Sequence, residues 1–138
     1  MKTLTTLATA AIVAATFAGS SAAVNPRYLH RGDVVAFLAP PLIERCGGEA
    51  DSVHILRIVG LPGETWQERN GLVYVNGKRL IEPYVKPDRR DTAVSYPARK
   101  IPRGRYFLMG DNRVQSCDSR EWGSVPSWRI VQVLGGMS

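Results

Sequence analysis

The distribution of apolar and polar positions along the chain predicts short strands. Three runs are apolar or alternating, rich in Val, Ile and Phe, and bounded by Gly or Pro: residues 33–38, 53–59 and 105–109. Successive side chains on a strand point to opposite faces, so runs of this length and composition suit strands that bury one face or both. We therefore expect three core strands in these positions.

Two further runs predict a hairpin. Residues 72–75 and 78–81 flank Asn76-Gly77, the pair that favours a two-residue hairpin turn most strongly. Leu61-Pro62-Gly63 places proline and glycine where a type II turn needs them. No sustained helical periodicity follows the N-terminal segment, so the pattern predicts an all-β, mainly antiparallel domain.

Residues 86–100 interrupt this pattern. Pro87 and Pro97 bracket the charged residues 88–92, and Pro102 follows. Clustered proline and charge are typical of loops, so we expect a surface loop between core strands here.

The N-terminal segment predicts export from the cytoplasm. Lys2 precedes an uncharged run over residues 3–23, which ends in the small residues Ser21-Ala22-Ala23. A short basic region, an apolar stretch and small residues form a secretory signal peptide. The same run approaches the length that spans a bilayer, which leaves a membrane anchor helix open. We thus divide the chain into a signal or anchor over 1–23 and a β domain over 24–138.

Composition excludes several functions. A chain of 138 residues can bury one good core, and its net charge of +6 comes from scattered basic residues, with Arg89-Arg90 and Arg99-Lys100 the densest pairs. Nucleic-acid binding would favour a basic stripe interleaved with aromatic residues, so attraction to an anionic membrane surface explains the charge better. No two histidines or cysteines stand at zinc-like spacing, so we expect no metal site.

Residues 110–126, GDNRVQSCDSREWGSVP, form the most informative segment. Charged residues, serines, glycines and proline fill it without apolar periodicity, which indicates a structured polar loop rather than a regular helix or strand. Asp111-Asn112 favours a turn. Asp118 and Arg120 are spaced to form a charge-assisted pair, with Ser116 and Ser119 as nearby donors.

This segment resembles the last signature box of bacterial signal peptidase I, which is GDNR, two variable residues and then S-x-DSR-x-WG-x-VP. Every fixed position of that box is present. Residues 56–64, LRIVGLPGE, resemble the family's KRVIGLPGD box, and residues 31–37, RGDVVAF, resemble its RGDIVVF strand. The resemblance covers about residues 31–134.

The catalytic pair of that family is missing. Signal peptidase I, including its conjugative-transfer relatives, uses a serine nucleophile before the Gly-Asp and a lysine base directly before the arginine of KRV. The family's spacing places Val24 at the serine position and Leu56 at the lysine position. Valine carries no nucleophile and leucine no proton acceptor. The resemblance therefore implies a serine-type endopeptidase scaffold that is catalytically degenerate in this copy.

A serine and a histidine near the expected positions are candidate substitutes for the missing pair. Ser20 or Ser21 would reach the nucleophile site only through an insertion, and the methionine and proline that should follow them are missing. His54 lies two residues before Leu56 and thus on the same face of a strand. Eukaryotic relatives use a histidine base, but directly before the arginine, so an ordinary strand histidine is the simpler interpretation of His54.

The resemblance also implies a supporting network and a substrate groove. Ser116 is expected beside the base position, with Asp118 and Arg120 paired beneath it and Arg57 joined to them. Asp111 and Arg113 of the same box belong to this network. Val34, Ala36 and the strand over 53–57 are expected to line a groove where a signal peptide or preprotein adds as an extended strand. No cofactor is implied.

The implied location is the bacterial inner membrane facing the periplasm or extracytoplasmic space, or secretion if the N-terminal segment is cleaved. Cys46 and Cys117 are the two cysteines, and an oxidising compartment permits them to pair. Such a bond would tie the loop after the first strand to residues 110–126, although the sequence leaves it open. Three functions stay open: a signal peptidase, a non-catalytic peptide-binding protein at the outer membrane face, and a purely structural domain.

Overall fold

The structure is a computed structural model and describes residues 23–136. These residues form nine strands and one short helix, which are, in chain order, β1 (Val34–Leu38), β2 (Val53–Gly60), β3 (Thr65–Arg69), β4 (Leu72–Val75), β5 (Lys78–Arg79), β6 (Tyr96–Lys100), β7 (Arg105–Met109), α1 (Ser119–Trp122), β8 (Val125–Pro126) and β9 (Ile130–Gly135). Short 3₁₀ turns lie at Pro26–Tyr28, Pro41–Cys46, Pro87–Arg89 and Ser127–Arg129.

The first sheet has five strands in the order β8-β7-β2-β1-β9, and its pairs are antiparallel. β1 pairs with β2 so that Val34 lies opposite Arg57 and Leu38 lies opposite Val53. β7 pairs with the second half of β2 but not with its first half, and this pairing begins with Met109 opposite Arg57. Within residues 23–136, positions 53–56 of β2 therefore pair with β1 on one side and present an open edge on the other.

The second sheet has four strands in the order β5-β4-β3-β6, again with antiparallel pairs. A turn over residues 61–64 connects β2 to β3, and Gly63 takes the positive φ of 83° that a type II turn requires. At the β4–β5 hairpin, Asn76 and Gly77 have φ angles of 51° and 80°, as a type I′ turn demands.

Each sheet has its own apolar core. The first cluster, which we call the first core, includes Val35, Phe37, Ile58, Leu108 and Ile130. The second is formed by side chains of the second sheet together with others from β2 and β7, namely Val59, Trp66, Val73, Val75, Ile101, Phe107 and Met109. Because β2 and β7 contribute to both clusters, they couple the two sheets.

The structure confirms a mainly antiparallel β fold. The runs predicted over 33–38, 53–59, 72–75 and 105–109 are strands within one residue of those bounds, and the predicted hairpin is present. The run over 78–81 is a strand only at Lys78–Arg79.

Two loop predictions were wrong in part. Residues 96–100 of the expected surface loop form β6, which pairs with β3. This strand is largely exposed, so its own pattern lacks a buried face, and Pro97 suits its place at a sheet edge. Residues 110–126 contain the helix α1 and the strand β8, because Asp118 caps the helix and β8 pairs with β7. The strands β3 and β9 were not predicted either.

The predicted signal or anchor segment lies almost entirely outside the described residues, as does Ser21. The division of the chain at residue 23 stays a prediction. Among the helices of residues 23–136, none has both the length and the apolar character to cross a membrane.

Candidate functional site

Leu56 lies on β2 and faces the first core, against which it packs. Its side chain also approaches Gly110, since a β-carbon on that glycine would stand 3.4 Å from Leu56 Cδ2 and 2.2 Å from Ser116 Oγ. The Gly110 N–H donates to Ser116 Oγ at 3.1 Å. Ser116 thus lies beside the position where the resemblance expects the general base.

Val24 reaches the same core from the N-terminal side. Its backbone N–H donates to the Ile130 carbonyl of β9 at 3.0 Å, and its half-buried side chain packs against the first core. Val24 and Leu56 therefore border the same apolar cluster. Neither side chain offers a group that can attack a carbonyl or accept a proton.

A shallow pocket of about 120 Å³ opens beside Leu56. It lies where β7 leaves β2, so its walls come from β1, from the open edge of β2 and from the residues directly after β7; these are Val34, Ile55, Leu56, Arg57, Gly110 and Asp111. Three of the six carry apolar side chains, and the space suits a small side chain. Leu56, the residue at the expected base position, forms part of the pocket's lining.

The predicted groove residues differ in exposure. Val34 lines the pocket, whereas Ala36 is only 2% exposed. Ala36 lies opposite Ile55 and Leu38 opposite Val53, so these residues share one face of the sheet. Ile55 is 59% exposed and Val53 is 42% exposed. The accessible apolar surface of this face therefore comes from β2 more than from Ala36.

Arg57 is clamped at the mouth of the pocket. It donates from Nε and Nη2 to the two carboxylate oxygens of Asp111, at 2.9 Å and 2.8 Å, and from Nη1 to the Gly32 carbonyl at 2.7 Å. The hydrogen bonds to Asp111 raise the pKa of Arg57 despite its partial burial. This bidentate pair fixes β2 to the loop after β7.

Asp118 and Arg120 form the buried pair that their spacing predicted. Arg120 donates from Nε to Asp118 Oδ1 at 2.9 Å and from Nη2 to Oδ2 at 3.1 Å. Burial alone would lower the pKa of Arg120, but the hydrogen bonds and charge of Asp118 outweigh it and raise that pKa. Asp118 also accepts the Gly110 N–H at 3.1 Å and the Arg120 N–H at the start of α1.

Two buried glutamates complete the network, and the sequence did not indicate either. Glu68 on β3 accepts from Arg120 Nη1 at 3.3 Å, and burial raises the pKa of its carboxyl group. Glu82 pairs with Arg113 through both carboxylate oxygens. The alternating pattern of β3, with Trp66 and Glu68 buried on one face, was the signal that would have placed Glu68 inside.

These contacts converge on Gly110. Its N–H donates to Ser116 and Asp118, and its carbonyl accepts from Arg113 Nε at 2.9 Å. Arg57 connects to the same network indirectly, because it stacks over the Tyr84 ring at 4.1 Å and the Tyr84 hydroxyl donates to Glu82. The network thus holds one wall of the pocket at a defined place next to Leu56.

The substitute base His54 lies elsewhere. Its Nε2 is 2.9 Å from Ser52 Oγ, and its ring is 6.2 Å from that of Phe37. It is not among the residues that line the pocket. These contacts are those of a partly buried histidine at the start of a strand.

Two cysteines join the network to the rest of the fold. Cys46, at the end of the 3₁₀ turn after β1, forms a disulfide with Cys117, and their Cα atoms are 6.3 Å apart. Over the described part of the chain, no group of three His, Cys, Asp or Glu side chains is arranged to hold a metal ion.

Comparisons with known proteins agree with this geometry. The family described as "Signal peptidase, peptidase S26" matches residues 3–134. Signal peptidase I V of Bacillus subtilis is 36% identical over 117 residues, which cover 77% of this chain and 64% of that protein. Signal peptidase I T of the same organism is 38% identical over 112 residues, which cover 75% of this chain and 53% of that protein.

A relative from another organism and a solved structure give the same result. Probable signal peptidase I-1 of Synechocystis sp. is 37% identical over 100 residues, which cover 72% of this chain and 50% of that protein. The chain thus spans between half and two thirds of the length of these relatives. A crystal structure of a signal peptidase I from Enterococcus faecalis V583 superposes with a TM-score of 0.63 at 30% identity, covering 78% of this chain and 97% of that one. The chain belongs to the signal peptidase family, peptidase S26.

Proposed function

We propose that this chain is a signal peptidase I-like protein that binds the signal-peptide region of exported preproteins as an extended strand and does not cleave it. The observation that carries the proposal is Leu56. This side chain has no proton acceptor, stands at the expected position of the general base, and packs beside the ion-pair network and an open strand edge.

The chemistry of peptide hydrolysis requires what these positions lack. An amide carbonyl is attacked by an activated nucleophile, and in this family a serine hydroxyl gives its proton to a neutral lysine. Val24 and Leu56 can perform neither step. Removing such a unit from a hydrolase leaves residual activity several orders of magnitude below that of the intact enzyme.

Peptide binding depends on different features, and these are present. Positions 53–56 of β2 present main-chain donors and acceptors that no other described strand pairs on the open side. A peptide that adds there gains main-chain hydrogen bonds, and the pocket beside Val34 and Leu56 would receive one of its small side chains. Ile55, exposed at the same edge, supplies apolar contact.

The proposed location is the outer face of a bacterial inner membrane. The net charge of +6 favours an anionic membrane surface. The Cys46–Cys117 disulfide supports an oxidising compartment, since such bonds are rare in the cytosol. The N-terminal segment, as a signal peptide or an anchor, would deliver the domain there.

The test is cleavage of a model preprotein with a small-x-small site by the purified chain. We expect no cleavage by the natural chain and measurable cleavage by the Val24→Ser/Leu56→Lys variant. A lysine at position 56 would lie against apolar side chains, which favour the neutral amine that the reaction needs. The Val24→Ser/Leu56→Lys variant should therefore stay active at pH values below the usual pKa of lysine.

Two matched variants control this experiment. Val24→Ser/Leu56→Met lacks the amine and should stay inactive. Ala23→Ser/Leu56→Lys moves the hydroxyl to the neighbouring backbone position, which points in another direction along an extended segment. Cleavage by the natural chain that disappears on Ser21→Ala or His54→Ala would contradict the proposal. The absence of cleavage by the Val24→Ser/Leu56→Lys variant would contradict the intact scaffold.

A further inference from the structure

The Cys46–Cys117 disulfide lies next to the residues that shape the pocket. Cys117 stands between Ser116 and Asp118, whose side chains both accept the Gly110 N–H. Gly110 in turn lines the pocket beside Leu56. The disulfide therefore holds Cys117, and both of its sequence neighbours bond to Gly110 in the pocket wall.

The other end of the disulfide is anchored in a different part of the fold. Cys46 ends the turn Pro41–Cys46, which follows β1 and buries Ile43 in the first core. The two cysteines are separated by 71 positions in the sequence. The bond thus ties the loop after β7 to the turn that follows β1.

We propose that this disulfide positions Gly110 and thereby makes peptide binding dependent on the redox state of the chain. The effect on peptide binding rests on the proposed function. The effect on the position of Gly110 rests on its hydrogen bonds to Ser116 and Asp118. In the oxidised chain, Gly110 and Leu56 line the same pocket. In the reduced chain, the loop over 111–118 keeps its ion pairs but loses its tether to the turn after β1.

The bond is accessible to a reductant. Cys46 is exposed, and Cys117 is half-buried. A thiolate of a dithiol reductant attacks Sγ of Cys46, and the Cys117 thiolate leaves. The second thiolate of the reductant then attacks the reductant sulfur of this mixed disulfide, which closes the reductant's own disulfide and releases the Cys46 thiolate. Two electrons and two protons pass to the two cysteines, which end as thiols. Exposed disulfides are those that exchange most readily.

The experiment uses the full chain, oxidised and reduced with dithiothreitol, with far-UV circular dichroism to verify the fold in both states. Hydrogen exchange at the Gly110 amide is the first measurement, because that N–H has two side-chain acceptors in the loop. Equilibrium binding of a labelled signal peptide is the second. We expect faster exchange at Gly110 on reduction and an increase of about tenfold in the peptide Kd, which corresponds to the ordering cost of about one loop residue.

The control is the Cys46→Ala/Cys117→Ala variant. It has no other cysteine, so dithiothreitol should change neither of its measurements, and both should match the reduced natural chain. Unchanged exchange at Gly110 on reduction would overturn the proposal, and so would global unfolding of the reduced chain. Faster exchange at Gly110 without peptide binding in either state would contradict the proposed function and confirm the positioning role.

Discussion

At the scale of single residues, the site is organised around a backbone group. Gly110 is held at its N–H by Ser116 and Asp118 and at its carbonyl by Arg113. The charged residues that surround it are largely buried and paired, so they fix the position of Gly110 rather than present charge to solvent. This arrangement holds the network in place beside Leu56, the residue at the expected base position.

The Asp118–Arg120 pair should be among the most sensitive positions of the chain. Asp118 is fully buried, so Asp118→Asn removes the bidentate partner of the buried Arg120 guanidinium and leaves Glu68, at 3.3 Å, as its remaining carboxylate partner among the described residues. We expect a loss of about 3–5 kcal/mol in the free energy of unfolding, measured by urea denaturation.

Asp51 provides a matched control for Asp118. It also pairs with an arginine, Arg129, at 2.9 Å, but its own side chain is 72% exposed. Asp51→Asn should cost no more than about 1 kcal/mol. Equal losses for the two variants would show that burial does not set the strength of these pairs.

The Arg31–Glu64 pair joins two of the sequence boxes and should respond to acid. Arg31 donates to both oxygens of Glu64, at 2.8 Å and 2.6 Å, and the Leu61 N–H donates to the same carboxylate. Burial alone would raise the pKa of Glu64, but these hydrogen bonds and the charge of Arg31 lower it. Its contribution to stability is therefore present above its usual pKa of 4.5 and is lost as the pH falls through the lowered value.

The measurement is the free energy of unfolding as a function of pH for the natural chain and for Glu64→Gln. The variant should be less stable at pH values well above the usual pKa of Glu64, and the difference should shrink as the pH falls below it. Arg31→Gln should show the same narrowing, because it removes the other partner. A difference that stays constant with pH would refute this account.

At the scale of secondary structure, the sequence predicted those strands whose own residues show a local pattern of apolar and polar positions. The runs that became β1, β2, β4 and β7 combine alternation with Gly or Pro at their ends. β6 carries few buried side chains and exists because its main chain pairs with β3. Such a strand depends on its neighbour, so its own residues show no alternation of apolar and polar positions from which to predict it. β9 did carry an apolar run, Ile130-Val131 and Val133-Leu134, that the prediction overlooked.

The same distinction applies to the candidate site. Asp118 and Arg120 were predicted as a pair because they are two residues apart. Glu68 and Glu82 were not, because they meet Arg120 and Arg113 across 52 and 31 positions in the sequence. Side chains that meet through the packing of two sheets leave no spacing signal in the chain.

The junction of the two sheets makes a further prediction. Gly60 ends β2, and a β-carbon there would lie 2.3 Å from Ile101 Cδ1 and 3.0 Å from Phe107 Cβ. Ile101 and Phe107 are both buried in the second core and have little room to move. Gly60→Ala should therefore destabilise the chain by about 1–3 kcal/mol through overpacking.

Gly135 of β9 is the control for this substitution. A β-carbon at Gly135 would meet nothing within 4 Å. Gly135→Ala should change the free energy of unfolding by no more than about 0.5 kcal/mol in denaturant titrations. If Gly60→Ala were equally neutral, the two sheets would not be closely packed at this point.

At the scale of the whole molecule, the proposed function separates peptide recognition from catalysis. The signal peptidase fold, its arginine–carboxylate network and its open strand edge are present, whereas the expected nucleophile and base positions hold Val24 and Leu56. Binding at a strand edge depends on main-chain groups and a pocket, and cleavage depends on two side chains. Loss of the second function therefore does not require loss of the first.

The most direct test of this separation is equilibrium binding of a fluorescently labelled signal peptide with a small-x-small site to the natural chain. Mass spectrometry of the peptide afterwards shows whether it stays intact. We predict saturable binding, an intact peptide and an increase of about tenfold in Kd for Ile55→Asp, which places a charge at the exposed strand edge. Leu42→Asp, at an exposed apolar residue outside the pocket beside Leu56, should leave Kd unchanged. The absence of saturable binding, or cleavage of the peptide by the natural chain, would contradict the account.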